Sequence, residues 1–305
     1  MRIGVLGNEG SWYVDQICSA ATSAGHEALS LQFQQLRAGV SDNISHLHIG
    51  DVDVTGLDAI IVRTMPPGSL EQVVCRMDFL AAVAATGARI INDPKAIECA
   101  VDKYLTTQKL ASAGIRVPDT TVCEDSNAAL VAFEQLGGDV VVKPLFGAEG
   151  RGIMRVDHPE LALRTFRTLE RLQATIYLQR FNQGPLTDIR ILLLDGKIVG
   201  CMKRSPSNGD FRANAAQDAV CQAWQPTRVE RELALQAANV TGCVFSGVDL
   251  MYNEHQQPVV IEVNAVPGWK ALEKTCDVDV PQTLIRWLED SHQDNVHTII
   301  NRSGS

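Results

Sequence analysis

The chain has 305 residues, 45% hydrophobic and 21% charged, an ordinary globular composition with length for two or three compact units. Its 27 basic and 36 acidic residues leave a net charge of -9, so no overall basic field recruits nucleic acid or an anionic membrane, although a local basic pocket remains open. The short opening MRIGVLGNEG does not read as a signal peptide, no stretch approaches the roughly 20 apolar residues that cross a bilayer, and eight scattered cysteines without a Cys-x-x-Cys pair read as reduced cytoplasmic thiols.

Residues 2–6 read as a buried strand, followed by a Gly7-Asn8-Glu9-Gly10 turn and a helix over 11–24 that ends at Gly25. A strand at 59–62, a helix at 70–86 and a strand at 89–91 continue the alternation, which predicts an α/β unit with a largely parallel sheet. The turn after the first strand lacks Gly-x-Gly-x-x-Gly, so a dinucleotide site of that kind is poorly supported. Asn92-Asp93-Pro94 breaks this unit, and 94–114 reads as one helix.

A second unit carries a helix at 127–136, the strand Val140-Val141-Val142-Lys143, a glycine-rich loop, a strand near 153–156 and a helix at 160–172. A third opens with a strand at 176–179, continues through strands at 189–194 and 197–202, and adds a helix over 227–240 before two final strands. The expected divisions are 1–94, 95–178 and 179–290, with 291–305 a polar, loosely held tail. The fold class is therefore α/β, turning to α+β in the C-terminal part.

Chemistry concentrates in the last two strands. In Pro258-Val259-Val260-Ile261-Glu262-Val263-Asn264, the strand period of two places Glu262 and Asn264 on one face. Asp249 sits in the preceding strand, and a polar turn at 253–257 predicts a hairpin that brings it near Glu262. Oxygen donors so arranged suit Mg²⁺; a solvated acidic sheet face is the competing reading.

Lys143 ends an apolar strand just before Pro144, placed to reach a phosphate, although a lysine reaching past a sheet rim would look the same. The loop Gly147-Ala148-Glu149-Gly150-Arg151-Gly152 offers permissive backbone for a phosphate nest, or simply a glycine-rich turn. Arg190, Lys203, Arg204 and Arg212 punctuate the third unit and are candidates to surround an anion. The seven histidines form no His-Glu-x-x-His motif, and no Gly-x-Ser-x-Gly elbow marks a serine hydrolase.

In this order the motifs resemble those of the ATP-grasp superfamily, and within it the RimK-like carboxylate–amine (α-L-glutamate) ligases. The matching positions are Lys103 in Asp102-Lys103, Lys143 with the Gly147, Glu149, Gly150, Arg151, Gly152 loop, Gln179-Arg180-Phe181 and Asp188-Ile189-Arg190. Lys203-Arg204, Arg212-Ala213-Asn214, and Glu262-Val263-Asn264 with Pro267-Gly268 complete them. The segment Gly268-Trp269-Lys270-Ala271-Leu272 is similar to a branch associated with tetrahydromethanopterin synthesis.

The resemblance implies an N-terminal parallel-sheet domain, two nucleotide-clamping domains, ATP, and Mg²⁺ (with Mn²⁺ able to substitute) on Asp249, Glu262 and Asn264. It further implies nucleotide contacts from Lys103, Lys143, the loop, Gln179, Arg180, Phe181 and Lys203. Catalytic roles fall to Arg190, Arg204, Arg212 and Asn214. The expected partners are a small-molecule carboxylate acceptor, such as a pterin, and an amino acid, with homo-oligomerisation left open. A protein or peptide acceptor and a non-catalytic nucleotide-binding regulator are the alternatives. Two departures stand out: a glutamine occupies position 179, where members often have glutamate, and Ala215-Ala216-Gln217-Asp218-Ala219 replaces a basic residue and paired glycines.

Overall fold

The computed structural model describes residues 1–147, 151–206 and 219–303. The chain begins with β1 (Arg2–Leu6), α1 (Trp12–Ser23), β2 (Glu27–Leu31), β3 (Leu36–Ser41), β4 (Ile44–Ile49), β5 (Val52–Asp53), β6 (Ala59–Val62), α2 (Leu70–Ala85) and β7 (Arg89–Ile91). Next come α3 (Pro94–Val101), α4 (Lys103–Ser112), β8 (Thr120–Cys123), α5 (Ser126–Gln135), β9 (Val140–Lys143), β10 (Met154–Val156), α6 (Pro159–Arg171) and β11 (Ile176–Arg180). The remainder is β12 (Asp188–Leu194), β13 (Lys197–Ser205), β14 (Val220–Ala223), α7 (Arg228–Thr241), β15 (Phe245–Tyr252), β16 (Pro258–Asn264), α8 (Lys270–Cys276) and α9 (Val280–Ser303).

The chain divides into two compact units, one of residues 1–94 with 277–305 and the other of residues 95–276. In the first, β2, β1, β6 and β7 form a parallel sheet in that order. Every residue of β6 is buried, as expected of a parallel strand covered on both faces. Gly7 is required where β1 turns into α1, because a Cβ there would lie 2.4 Å from the Val14 side chain. A separate antiparallel sheet, β3-β4-β5, is folded by Asp42 and Asn43, both at positive φ, as a tight hairpin demands. Neither β2 nor this hairpin was legible in the sequence. The expected polar tail is instead backbone helix, with α9 running to Ser303.

The second unit holds two antiparallel sheets. Strands β10-β9-β11-β8 form the smaller, with α5 and α6 laid on one face around Phe133, Val140, Val142, Phe166, Ile176 and Leu178. Alternation then sends Val141, Lys143, Tyr177 and Gln179 to the other face. The larger sheet runs β14-β13-β12-β15-β16. Helix α7 starts with a capping box of Thr227 and Glu230 and packs on β15 and β16. The single helix expected over 94–114 is two. The Asp102 side chain accepts the Leu105 N–H and starts α4 afresh, with Lys103 as its first residue. Among the described residues no helix is long and apolar enough to cross a membrane.

Candidate active site

Strand register builds a row of charges on one face of the larger sheet. Asp188 is paired across the strands with Arg204, Arg190 with Asp249, and Asp249 with Glu262. Directly opposite residues share a face, so all five side chains emerge on the same side. Arg190 donates to both Asp249 oxygens, through Nε and through Nη2 at 2.6 Å. Arg204 is bidentate on Asp188 at 2.6 and 2.8 Å and lies 3.1 Å from Asp249. All four residues are buried. Burial works against the Asp249 charge, but Arg190 and Arg204 outweigh it and hold its carboxyl below the usual range. Burial pushes the Asp188 carboxyl up from its ordinary value against the pull of Arg204, which donates to both of its oxygens.

The same register places Lys203 on the opposite face, paired with Ile189 and Gln222. It therefore does not join this row, contrary to its expected place among the nucleotide contacts.

A cavity opens between the two sheets of this unit, with Lys103, Thr107, Lys143, Arg151, Tyr177 and Glu262 in its wall. Lys143 Nζ donates to Gln179 Oε1 at 2.6 Å. The Gln179 amide is oriented in turn by Thr120 Oγ1 at 3.2 Å and Tyr177 OH at 3.3 Å. Burial pushes the Lys143 ammonium down to about 8, with Glu262 opposing the fall and Lys103 adding to it. Burial also lowers Lys103, whose Nζ donates to the Gly147 carbonyl at 2.8 Å.

The other expected residues are divided. Arg151 lines the cavity, and Gly152 adopts φ +74° beyond it. Arg180 is exposed beside Asp119 and Glu254, and Phe181 lies under the Arg155 guanidinium, 3.8 Å from its centre. Glu149, Gly150, Arg212, Asn214 and most of the Ala215 to Ala219 segment lie outside the described residues. Tyr177 was missed, although its spacing of two from Gln179 put it on the same strand face.

The donor set fits a hard divalent cation at two positions and only conditionally at the third. The Glu262 carboxylate has no hydrogen-bond partner among the described residues, while Lys103 and Lys143 sense its charge. Asn264 gives its amide N–H to the Gly247 carbonyl at 3.4 Å, which leaves Oδ1 as a donor atom. Both Asp249 oxygens are already engaged by guanidinium groups.

Comparison with known proteins identifies the family. A family model described as the RimK-like ATP-grasp domain matches residues 100–288. A relative from Maridesulfovibrio salexigens, "Probable alpha-L-glutamate ligase", is 31% identical over 297 residues, spanning 96% of this chain and 97% of its own. Another from Methanosarcina acetivorans, "Tetrahydromethanopterin:alpha-L-glutamate ligase", is 27% identical over 95% of this chain and 99% of its own. Among solved structures, the ATP-grasp ligase PsnB complexed with minimal precursor superposes with a TM-score of 0.76 at 19% identity, over 95% of this chain and 99% of that one. PsnB has also been solved with minimal precursor, Mg and ADP, and with the precursor peptide PsnA2 and AMPPNP.

The chain belongs to the RimK-like ATP-grasp family. It is an ATP-dependent carboxylate–amine ligase of the ATP-grasp fold. The expected small-molecule acceptor does not stand, because PsnB, which shares this fold, is held in complex with a precursor peptide.

Proposed function

We propose that the enzyme activates a carboxylate on a peptide or protein acceptor and joins it to the amino group of glutamate. The precursor peptide bound to PsnB supports the acceptor class, and the names of the relatives support glutamate as the amine. The observation that carries the reading is Glu262, a carboxylate without a hydrogen-bond partner among the described residues, sharing one cavity wall with Lys103 and Lys143. We infer three functional divisions, 1–94, 95–178 and 179–290, with ATP held between the sheets of the last two.

Lys103, Lys143, Arg151 and the backbone of the Gly147 to Gly152 loop hold the phosphates. The acceptor carboxylate attacks the γ-phosphorus, the bond to the ADP oxygen breaks, and an acyl phosphate forms. Lys143 places positive charge where negative charge gathers on the transferring group. Mg²⁺ supplies charge neutralisation at the triphosphate when bound, and Mn²⁺ serves in its place. Glu262 and Asn264 would hold the metal, joined by Asp249 once it parts from Arg190. The glutamate nitrogen then attacks the acyl carbon, inorganic phosphate leaves, and the nitrogen gives up a proton. Arg204 and Arg190, with Arg212 and Asn214, grip the carboxylate and the developing oxyanion. Closing the loop over the cavity keeps water from the acyl phosphate.

The test is ADP release with glutamate and a panel of peptides bearing free carboxylates, followed by mass spectrometry for an added glutamyl residue. ADP formation that needs both partners supports the reading. Turnover that ignores every peptide while proceeding with glutamate alone would sink it.

A further inference from the structure

A second cavity, of about 450 Å³, lies on the face of the larger sheet opposite the acidic row. Its wall includes Thr187, Lys203, Ser205, Gln222, Trp224 and Tyr252. The volume falls within the roughly 300–1,000 Å³ of ligand pockets. Lys203 is the one cation among its described lining residues, and no acid accompanies it. The Lys203 ammonium stands 3.2 Å over the Trp224 ring centre, with no carboxylate partner among the described residues. Both aromatic rings are fixed from behind by the fully buried Glu230, which accepts Trp224 Nε1 at 3.1 Å and Tyr252 OH at 2.8 Å. The Thr187 and Ser205 hydroxyls lie 3.2 Å apart; one donates to the other, which leaves a hydroxyl proton to offer a ligand. This wall is aromatic, its rings are tethered by Glu230, and it carries one ammonium group.

The cavity adjoins β14, which among the described residues is an edge strand of the sheet with one unpaired side. An extended peptide can add to such an edge by main-chain hydrogen bonds and present every second side chain to one face. On the cavity face, the side chain beside Gln222 comes toward Lys203, because those two residues are cross-strand partners. We propose that this cavity is a docking site for the acceptor peptide, taking an acidic side chain whose carboxylate meets the Lys203 ammonium, remote from the face where the chemistry occurs. The proposal rests on the peptide-acceptor reading above.

The test uses the full chain without nucleotide and a fluorescein-labelled hexapeptide of alternating valine and glutamate, with its glutamine counterpart as control. Anisotropy at low salt should show the glutamine peptide binding about tenfold more weakly. Lys203→Met should lose affinity for the glutamate peptide by about the same factor, and Lys203→Arg should retain most of it. Glu262→Ala, on the opposite face, should leave the affinity unchanged. If Lys203→Met fails to fold, Gln222→Glu serves, since its added charge should weaken the acidic peptide selectively.

Equal affinity of wild type and Lys203→Met, or of the two peptides, overturns the proposal. Displacement of the label by free glutamate at the same carboxylate concentration also overturns it, by making the cavity a small-carboxylate site. Peptide ligation with no effect of Lys203→Met on affinity removes the docking site and leaves the function standing. Lys203-dependent binding of peptides that are never ligated removes the function instead.

Discussion

Replacing Gln179 with glutamate should move the alkaline limit of catalysis upward. Lys143 Nζ donates to Gln179 Oε1 at 2.6 Å, and the lysine is held at about 8 chiefly by burial. An added negative charge at this position attracts the ammonium by about 4 kcal/mol at ~4 Å and an effective dielectric of ~20. Burying a carboxylate where Gln179 is 4% exposed takes back most of that gain. A net rise of about one unit, roughly 1.4 kcal/mol, is expected.

The direction follows from which form works. In the proposed role the ammonium binds phosphate, and it is lost as pH rises through its own value, so kcat/KM for ATP should fall above about 8. At pH 9 the wild type keeps about a tenth of its plateau and Gln179→Glu about half, a difference of roughly fivefold. The assay is coupled ADP release from pH 6 to 9.5, with thermal melts to confirm that both proteins stay folded. Superimposed profiles would refute the assignment of Lys143 as the titrating phosphate contact.

Four further outcomes are expected. Glu262→Ala should reduce ADP formation by at least about a hundredfold at saturating Mg²⁺, and chelation with EDTA should do the same to the wild type until Mg²⁺ or Mn²⁺ is restored. Arg204→Met, which strips the cation from buried Asp188, should cost about 3–5 kcal/mol in urea unfolding. Gly184→Ala should destabilise by about 3 kcal/mol in the same measurement, because its Cβ would stand 2.1 Å from the Tyr252 carbonyl oxygen. Arg190→Met should tighten Mn²⁺ binding to the nucleotide-free protein, read by electron paramagnetic resonance, since one fewer guanidinium competes for Asp249.

Periodicity made part of the site legible. Alternation alone put Glu262 and Asn264 on one strand face, and the polar turn at 253–257 brought Asp249 opposite Glu262, as the register has it. Alternation within Lys203-Arg204 also implied that these neighbours diverge, yet both read as members of one basic cluster because their strand partners could not be known. The helix break at Asp102 was harder to see, since an aspartate inside an apolar run looks like surface charge until its carboxylate caps a second helix. The β3–β4 hairpin escaped for a different reason: its strands are largely exposed, and only Leu47 and Ile49 of β4 are buried, too short an apolar stripe to read as a strand.

The arginines change what the acidic motif means. Counted as charges, Asp188, Asp249, Arg190 and Arg204 cancel, and such a buried quartet persists only because each ion has a partner. Glu262 is the negative charge left over, and it faces two lysines whose ammonium forms burial already disfavours. Triphosphate and metal arriving together would satisfy both sides, phosphate oxygens taking the lysines and the metal taking Glu262 and the Asn264 amide oxygen. Asp249 would join with both oxygens by loosening a guanidinium contact, which would release Arg190 toward the reacting phosphate. On that account the aspartate in the motif would be a gated ligand, unlike Glu262, and the sequence could not distinguish the two because the guanidinium contacts come from strands distant in the chain.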